Sequence, residues 1–281
     1  MLRRILCVSS LLFALTTQGS AKTYTLGGTR PATLLTPSMV SAKDKVPLLV
    51  FLHGYTSNGQ QSDSLFGVSR QRDQLGFAVI IADGTRNSEG NRFWNATPEC
   101  CDFEESGVDD AAYIAELISE AKTVTSIDSD KVYLIGHSNG AFMSYRMACE
   151  YPELLRGIIS ISGAFFKDPA LCKKPGTLNI LQIHGSVDQT IPFEGSTYFP
   201  STQTSLDYWI GKNTCSEGTL EVGALDLVRA SGSSSPVNET DSKVWENCQN
   251  KTKVGLWKIN GTAHVPFFND PWLGAALKFV E

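Results

Sequence analysis

A serine between two glycines is the strongest chemical signal in the sequence. It lies in the pentapeptide Gly136-His137-Ser138-Asn139-Gly140, which matches the G-x-S-x-G pattern of a nucleophile elbow. An apolar run precedes the pentapeptide and a helical pattern follows it, so a sharp strand-to-helix turn is expected to lift the serine hydroxyl above a sheet. The sequence therefore predicts that Ser138 is a nucleophile.

A serine hydroxyl needs a base to take its proton and an acid to orient that base. On folds that carry a nucleophile elbow, the chain order is serine, acid, histidine. Only His184 and His264 follow Ser138, and His184 precedes the best acid, so His264 is the predicted base. Asp188, just after an apolar strand pattern, is the predicted acid. Two weaker candidates, which lie farther from a predicted strand end, are Asp207 and Glu194.

The oxyanion that forms during acyl transfer needs two hydrogen-bond donors. The backbone N–H of Asn139, directly after the nucleophile, is the first predicted donor. The second is expected in the segment His53-Gly54-Tyr55, which follows an apolar strand pattern. We choose the Tyr55 N–H, with the Thr56 N–H as the alternative. His53 itself is interpreted as a structural side chain.

Apolar runs and helical patterns alternate along the chain. Runs typical of buried parallel strands cover residues 46–52, 77–82, 131–135, 155–161, 178–183 and 254–259. Helical patterns cover residues 108–121, 141–149 and 271–280. The alternation predicts an α/β fold with a mostly parallel central sheet and helices on both faces. Residues 84–107 are predicted as a long loop, and residues 189–253 as a surface excursion.

The N-terminus has the pattern of a cleavable signal peptide. Arg3 and Arg4 precede an apolar run from Ile5 to Leu15, and small residues follow up to Ala21. The run is short for a membrane span, and no later segment has the unbroken apolar length of one. We expect residues 1–21 to be removed and residues 22–281 to form one catalytic domain. The protein is expected to be secreted, either to the periplasm or to the exterior.

The composition indicates a globular chain without a nucleic-acid partner. Hydrophobic residues make up 42% and charged residues 19% of the sequence, as in packed domains. Without residues 1–21 the chain has 22 basic and 29 acidic side chains, a formal charge of −7. No basic cluster stands out, so nucleic-acid binding is not expected.

Six cysteines remain after the predicted signal peptide, and an even number in an exported chain indicates disulfide bonds. No pair has C-x-x-C spacing, so no metal site is expected. We pair Cys215 with Cys248, because closing a long loop removes entropy from the unfolded chain. Cys100 and Cys101 are adjacent, and a bond between neighbours is expected to strain the chain. The predicted partners of these two, in either order, are Cys149 and Cys172.

The motifs, taken in order, resemble those of the secreted feruloyl esterase and polyhydroxybutyrate depolymerase-like esterases. The resemblance runs from about residue 45 to 270 and rests on His53-Gly54-Tyr55, Trp94-Asn95-Ala96, Cys100-Cys101, Gly107-Val108-Asp109-Asp110, Gly136-His137-Ser138-Asn139-Gly140-Ala141 and His184-Gly185-Ser186-Val187-Asp188. It implies an α/β-hydrolase fold, hydrolysis of carboxylic esters and no cofactor, and it gives Ser138, Asp188 and His264 the roles above. Members often carry Trp-Pro soon after the catalytic histidine, whereas this sequence continues from His264 as Val265-Pro266-Phe267-Phe268.

The resemblance favours an esterase for feruloyl or other hydroxycinnamoyl groups, on a small molecule or on polysaccharide. A polyhydroxyalkanoate or polyester depolymerase is the alternative among enzymes. A peptidase on this fold usually needs a cap or propeller domain, and none is visible in the sequence, so a peptidase is not expected. A non-catalytic binding protein is the alternative of another class, but such proteins typically lose a triad member. The side chains predicted to bind substrate, on loops after strand ends, are Phe93, Trp94 and Phe267.

Overall fold

The computed structural model describes residues 20–38, 44–229 and 238–281. Almost all of the predicted signal peptide, residues 1–19 of 1–21, lies outside the described residues. Within the described ranges, no helix combines the length and the apolar character that a bilayer crossing requires.

A ten-stranded sheet organises the chain. In chain order its strands are β1 (Thr23–Leu26), β2 (Ala32–Leu35), β3 (Val46–Leu52), β4 (Ala78–Ile81), β5 (Ile127–His137), β6 (Gly157–Ile161), β7 (Asn179–Gly185), β8 (Thr219–Leu225), β9 (Thr240–Trp245) and β10 (Val254–Ile259). Across the sheet the order is β1-β2-β4-β3-β5-β6-β7-β10-β9-β8. The six adjacent strands from β4 to β10 in that order are parallel to one another. At each edge two further strands continue the sheet, and each of them pairs antiparallel with its neighbour.

Helices cover both faces of the sheet. They are α1 (Gly59–Phe66), α2 (Arg72–Leu75), α3 (Asp110–Val124), α4 (Asn139–Glu150), α5 (Thr202–Lys212) and α6 (Trp272–Val280). Successive strand side chains point to opposite faces. Along β3, Leu48 and Val50 belong to one core with side chains of α3, α4 and α5, whereas Leu49 and Phe51 belong to a second core with those of α1 and α6. The predicted mostly parallel sheet with helices on both faces is confirmed.

The predicted surface excursion at residues 189–253 is wrong for much of its length. It contains α5, whose Leu206 and Trp209 are fully buried. It also contains β8 and β9, which extend the sheet antiparallel to β10. Strand β8 was missed although Leu220, Val222 and Ala224 alternate with other residues, because this edge strand is exposed along most of its length and the prediction relied on continuous apolar runs, which mark strands buried on both faces. The predicted loop at 84–107 is irregular apart from a short hairpin, Thr85–Arg86 with Arg92–Phe93.

Disulfide bonds join all six predicted cysteines, and the predicted pair Cys215–Cys248 is confirmed. The predicted bonding of Cys100 and Cys101 to the other two is wrong. Cys149 bonds to Cys172, with 5.0 Å between their Cα atoms, because the chain after Cys172 folds back onto the end of α4 and donates a backbone hydrogen bond to the Cys149 carbonyl at 3.1 Å. Cys100 bonds to Cys101 across a cis peptide, with the Cα atoms 3.0 Å apart.

Candidate active site

The nucleophile elbow lies between the end of β5 and the start of α4. Ser138 has φ 54° and ψ −121°, a backbone conformation that a residue with a Cβ rarely adopts unless its surroundings enforce it. Its N–H donates to the carbonyl of Ile161, the last residue of β6, at 2.9 Å. A Cβ on Gly136 would lie 2.0 Å from the Gly140 carbonyl oxygen, and one on Gly140 would lie 2.2 Å from the Leu52 oxygen. Both glycines are therefore required where the strands and α4 meet.

The predicted acid and base are hydrogen-bonded to each other. Asp188 follows β7 and His264 follows β10, two neighbouring parallel strands, so both residues lie at the same edge of the sheet. Asp188 Oδ2 lies 2.8 Å from His264 Nδ1. Asp188 Oδ1 accepts the N–H groups of Thr190 and Ile191 at 2.8 and 3.0 Å.

Asp188 is held in its ionised form. Its side chain is fully buried, and burial opposes ionisation, but hydrogen bonds from His184 and His264 hold the pKa of the Asp188 carboxyl well below its usual range. An ionised carboxylate only accepts hydrogen bonds, so His264 carries its proton on Nδ1. The Nε2 lone pair of His264 is then available to take a proton.

His137 connects the elbow to the loop that carries the predicted base. Its Nε2 donates to the His264 carbonyl oxygen at 3.0 Å, and the two rings lie 5.0 Å apart. Burial lowers the pKa of His137 to about 4, so the ring is neutral at neutral pH. Within the described residues, no hydrogen bond joins the Ser138 hydroxyl to His264, a contact that is often long without substrate.

Two backbone N–H groups beside Ser138 are free to act as donors. The Tyr55 and Asn139 N–H groups have no acceptor among the hydrogen bonds of the described residues, whereas the Thr56 N–H donates to a carbonyl of the 85–93 hairpin at 2.8 Å. Gly54 lies directly against the elbow, since a Cβ there would be 3.3 Å from Ser138 Cβ. Tyr55 is therefore a better candidate than Thr56.

The side chain of Asn139 has a second role that sequence reasoning missed. Its Oδ1 accepts the Trp94 N–H at 2.7 Å, and its Nδ2 donates to the Trp94 carbonyl at 2.9 Å. The Trp94 indole N–H in turn donates to the His53 carbonyl at 3.0 Å. This pair of amide contacts ties the loop that begins at Trp94 to the first residue of α4. The sequence signal that could have indicated this role is the polar side chain of Asn139 at the start of a helix whose next residues are apolar.

His53 is a structural side chain, as interpreted from the sequence. Its Nε2 accepts the Gly84 N–H at 2.9 Å, and its Nδ1 lies 2.8 Å from the Gly54 carbonyl oxygen. Burial lowers the pKa of His53 to about 4. The neutral ring therefore joins the Tyr55 segment to the end of the β4 region through backbone groups alone.

Two of the three predicted substrate-binding aromatics are core residues. Phe93 is 1% exposed and Trp94 is fully buried, because the loop folds inward onto Asn139, so the prediction that these rings face a substrate is wrong. Phe267 is 64% exposed and stays a candidate. Sequence reasoning missed Phe103, which is 67% exposed and packs edge-to-face on Tyr55 with 5.5 Å between ring centroids.

No group of three or more His, Cys, Asp or Glu residues suited to a metal ion occurs in the part of the chain that the structure describes.

Comparison with known proteins places the chain in a family. The sequence profile of the phospholipase/carboxylesterase family matches residues 36–207, more than half of the chain. The NocK protein of Nocardia uniformis subsp. tsuyamanensis is 28% identical over 226 residues, 78% of this chain and 63% of that protein. Feruloyl esterase B of Piromyces equi is 24% identical over 231 residues, 81% of this chain and 41% of that enzyme. Poly(3-hydroxyalkanoate) depolymerase C of Paucimonas lemoignei is 31% identical over 181 residues, 59% and 42% of the two chains.

The chain thus spans less than two thirds of the length of each of these relatives. Among solved structures, the acetyl xylan esterase from Aspergillus awamori superposes with a TM-score of 0.67 at 16% identity, covering 93% of this chain and 100% of that one. This likeness confirms the α/β-hydrolase fold. Together with the family match, it shows that the chain belongs to the phospholipase/carboxylesterase family of α/β-hydrolases.

Proposed function

We propose that this protein is a secreted serine carboxylic-ester hydrolase with Ser138, His264 and Asp188 as nucleophile, base and acid. The observation that carries the proposal is the 2.8 Å contact between Asp188 Oδ2 and His264 Nδ1, in a loop that His137 holds beside the elbow. Membership of the phospholipase/carboxylesterase family supports the same reaction class.

The proposed mechanism runs through an acyl-enzyme. As Ser138 Oγ attacks the ester carbonyl carbon, His264 Nε2 takes the hydroxyl proton and the carbonyl oxygen becomes an oxyanion. Collapse of the tetrahedral intermediate breaks the ester C–O bond, and His264 gives its proton to the leaving alcohol. Water then attacks the acyl group on Ser138, with His264 again as base, and the acid is released. Asp188 stabilises the imidazolium in both steps.

The oxyanion is proposed to bind the N–H groups of Tyr55 and Asn139. Both belong to segments that touch Ser138, and Asn139 opens α4, whose helix dipole places positive potential at its N-terminus. One donor of this kind typically contributes about 3–4 kcal/mol to transition-state stabilisation. Both donors are backbone groups, so a side-chain substitution leaves them in place.

The proposed substrate is an ester of an aromatic acid, such as a hydroxycinnamoyl ester, on a small molecule or on polysaccharide. Phe267, three residues after His264, and Phe103, which packs on Tyr55, are exposed rings on the segments that form the site. Stacking on such rings adds about 0.5–1.5 kcal/mol beyond burial. The similarity to feruloyl esterase B supports this class.

Substrate comparison tests this proposal. We expect faster hydrolysis of methyl ferulate and p-nitrophenyl acetate than of emulsified triolein or polyhydroxybutyrate film, and loss of all turnover in Ser138→Ala. The Phe267→Ala variant should lower kcat/KM for methyl ferulate more than for p-nitrophenyl acetate. Faster hydrolysis of the polyester film than of both soluble esters would contradict the aromatic-ester proposal.

That last result would favour the second candidate, a polyhydroxyalkanoate or polyester depolymerase. The similarity to poly(3-hydroxyalkanoate) depolymerase C is the observation that supports it. The two candidates share the same three catalytic residues and differ only in the surface that meets the acyl chain.

Export to an oxidising compartment, the periplasm or the exterior, is part of the proposal. The three disulfide bonds support it, because such bonds persist mainly outside the reducing cytosol.

A further inference from the structure

A buried histidine that the mechanism does not use lies against the predicted acid. His184, in β7, is 1% exposed. Its Nε2 lies 2.8 Å from the Ile191 carbonyl oxygen and 3.3 Å from Asp188 Oδ2. Both neighbours are acceptors, so this nitrogen carries the ring proton, which is directed to the closer Ile191 oxygen, whereas a lone pair there would face two oxygen atoms.

Gln182, two residues earlier on the same strand, fixes that proton. Its Nε2 donates to the Gly163 carbonyl at 2.9 Å, which identifies this amide atom as the nitrogen. Its Oε1 accepts the Tyr145 hydroxyl at 2.8 Å. The second N–H of the amide points at His184 Nδ1, 2.9 Å away. Nδ1 is therefore an acceptor, and the neutral ring carries its proton on Nε2.

This arrangement gives the Asp188 carboxylate three hydrogen bonds and a fourth N–H at longer range. Oδ1 accepts two backbone N–H groups. Oδ2 accepts His264 Nδ1–H at 2.8 Å, and His184 Nε2, whose proton is bonded to the Ile191 carbonyl, lies 3.3 Å from the same oxygen. A buried carboxylate oxygen with a single side-chain donor could rotate away from it, and the N–H of His184, held beside that oxygen by its bond to Ile191, restrains the rotation. It also withdraws part of the negative charge that would otherwise stabilise a protonated His264.

We propose that His184 is a positioning residue: its Nε2–H, oriented by Gln182, keeps Asp188 Oδ2 directed at His264 Nδ1. The inference rests on the proposed function and deepens it by a fourth residue. A buried chain from Tyr145 through Gln182 and His184 thus ends on the predicted acid.

Other groups packed around His184 leave this assignment intact. The Thr202 hydroxyl of α5 lies 3.3 Å from Nδ1, on the acceptor side of the ring. Phe193 packs edge-on, with 5.8 Å between centroids, and the Lys258 ammonium of β10 lies over Phe193 at 5.3 Å. The ionisable groups that face His184 are Asp188, His264 beyond it, His137 and Lys258.

Three variants test the proposal, each assayed as kcat, KM and the pH profile of kcat/KM on p-nitrophenyl acetate. His184→Phe removes the N–H and should lower kcat about 10- to 100-fold, as for a lost hydrogen bond to a charged group, with little change in KM. The acidic midpoint of kcat/KM should move to higher pH, because Asp188 then interacts with His264 alone. His184→Gln, whose amide can place a donor near the same point, should restore most of kcat.

Phe193→Leu is the packing control, since it alters the contact with the His184 ring but no hydrogen bond of that ring, and its pH midpoint should match wild type. If His184→Phe does not fold, His184→Met removes the same N–H with a more adaptable side chain. A folded Phe or Met variant with wild-type kcat and midpoint would overturn the proposal. So would a midpoint at lower pH, or no rescue by Gln. Failure of the proposed function is distinct, because it would appear as absent turnover in the wild type or full turnover in Ser138→Ala.

Discussion

At the scale of single residues, the charge on Asp188 is the feature on which the chemistry depends. In Asp188→Asn one acceptor oxygen becomes an N–H group, which cannot accept the His264 Nδ1–H, so the wrong tautomer of His264 is favoured. We expect kcat to fall by about 10⁴-fold while the fold survives. Steady-state kinetics with circular dichroism as the folding control would show this. Near-full activity would place the acid elsewhere, and Asp207, exposed on α5 and bonded to Gln203, would be the next residue to test.

His53 and His137 make stability depend on pH. Burial lowers the pKa of each from 6.5 to about 4, so the unfolded chain binds more protons than the folded one between these values. The free energy of unfolding should therefore be fully present above pH 6.5 and fall as the pH drops toward 4, by at most about 3 kcal/mol for each ring. Urea unfolding at several pH values measures the slope. His53→Gln should flatten it, and an unchanged slope in that variant would contradict the assignment for His53.

At the scale of elements, Asn139 couples α4 to the loop that begins at Trp94. Asn139→Ala would leave the buried N–H and carbonyl of Trp94 without partners, which should cost about 2–5 kcal/mol of stability. The Asn139 backbone N–H remains, so activity should persist at a lower kcat. Ser144→Ala on the same helix, which removes one local bond to the Gly140 carbonyl, is the matched control and should cost less. Equal losses in the two variants would argue against the coupling.

The elements also show how far sequence reasoning reaches. The buried parallel strands were predictable, because they are covered on both faces and contain largely continuous apolar runs, as in β3 and β4. Helix α5 was missed because the pattern Thr202–Lys212 is mostly polar around two buried anchors, Leu206 and Trp209. The side-chain contacts of Asn139 could not be predicted, since they join segments 45 residues apart. Those of His184 are local in sequence but depend on how the chain turns back after β7.

At the scale of the whole molecule, the Cys215–Cys248 bond closes the longest loop of the three, with a sequence separation of 33. The double variant Cys215→Ser/Cys248→Ser should lose about 3–4 kcal/mol of stability, mainly through a less restricted unfolded state. Thermal or urea unfolding would measure the loss. We expect little change in kcat, because neither cysteine contacts the triad. A stability equal to wild type would contradict the contribution assigned to this bond.

The contact between Asp188 and His264 was predictable from the sequence, their catalytic roles stay a prediction, and the surface of the proposed site was less predictable. Chain order and strand ends were enough to select Ser138, Asp188 and His264, because the elbow motif constrains where its partners must lie. The sequence did not identify the exposed aromatic rings in the same way, since their exposure depends on how the 84–107 loop folds. Phe93 and Trp94 turn inward, and Phe103 turns outward.

Labelling with a fluorophosphonate, read by peptide mass spectrometry alongside ester turnover, tests the central claim most directly. The account predicts one covalent adduct per chain, on Ser138, with loss of turnover in proportion to labelling. It also predicts neither adduct nor turnover in folded Ser138→Ala. An adduct on another residue, or wild-type turnover by the folded variant, would contradict the assignment of Ser138. No labelling and no ester turnover in the wild type would favour a non-catalytic binding protein on the same fold.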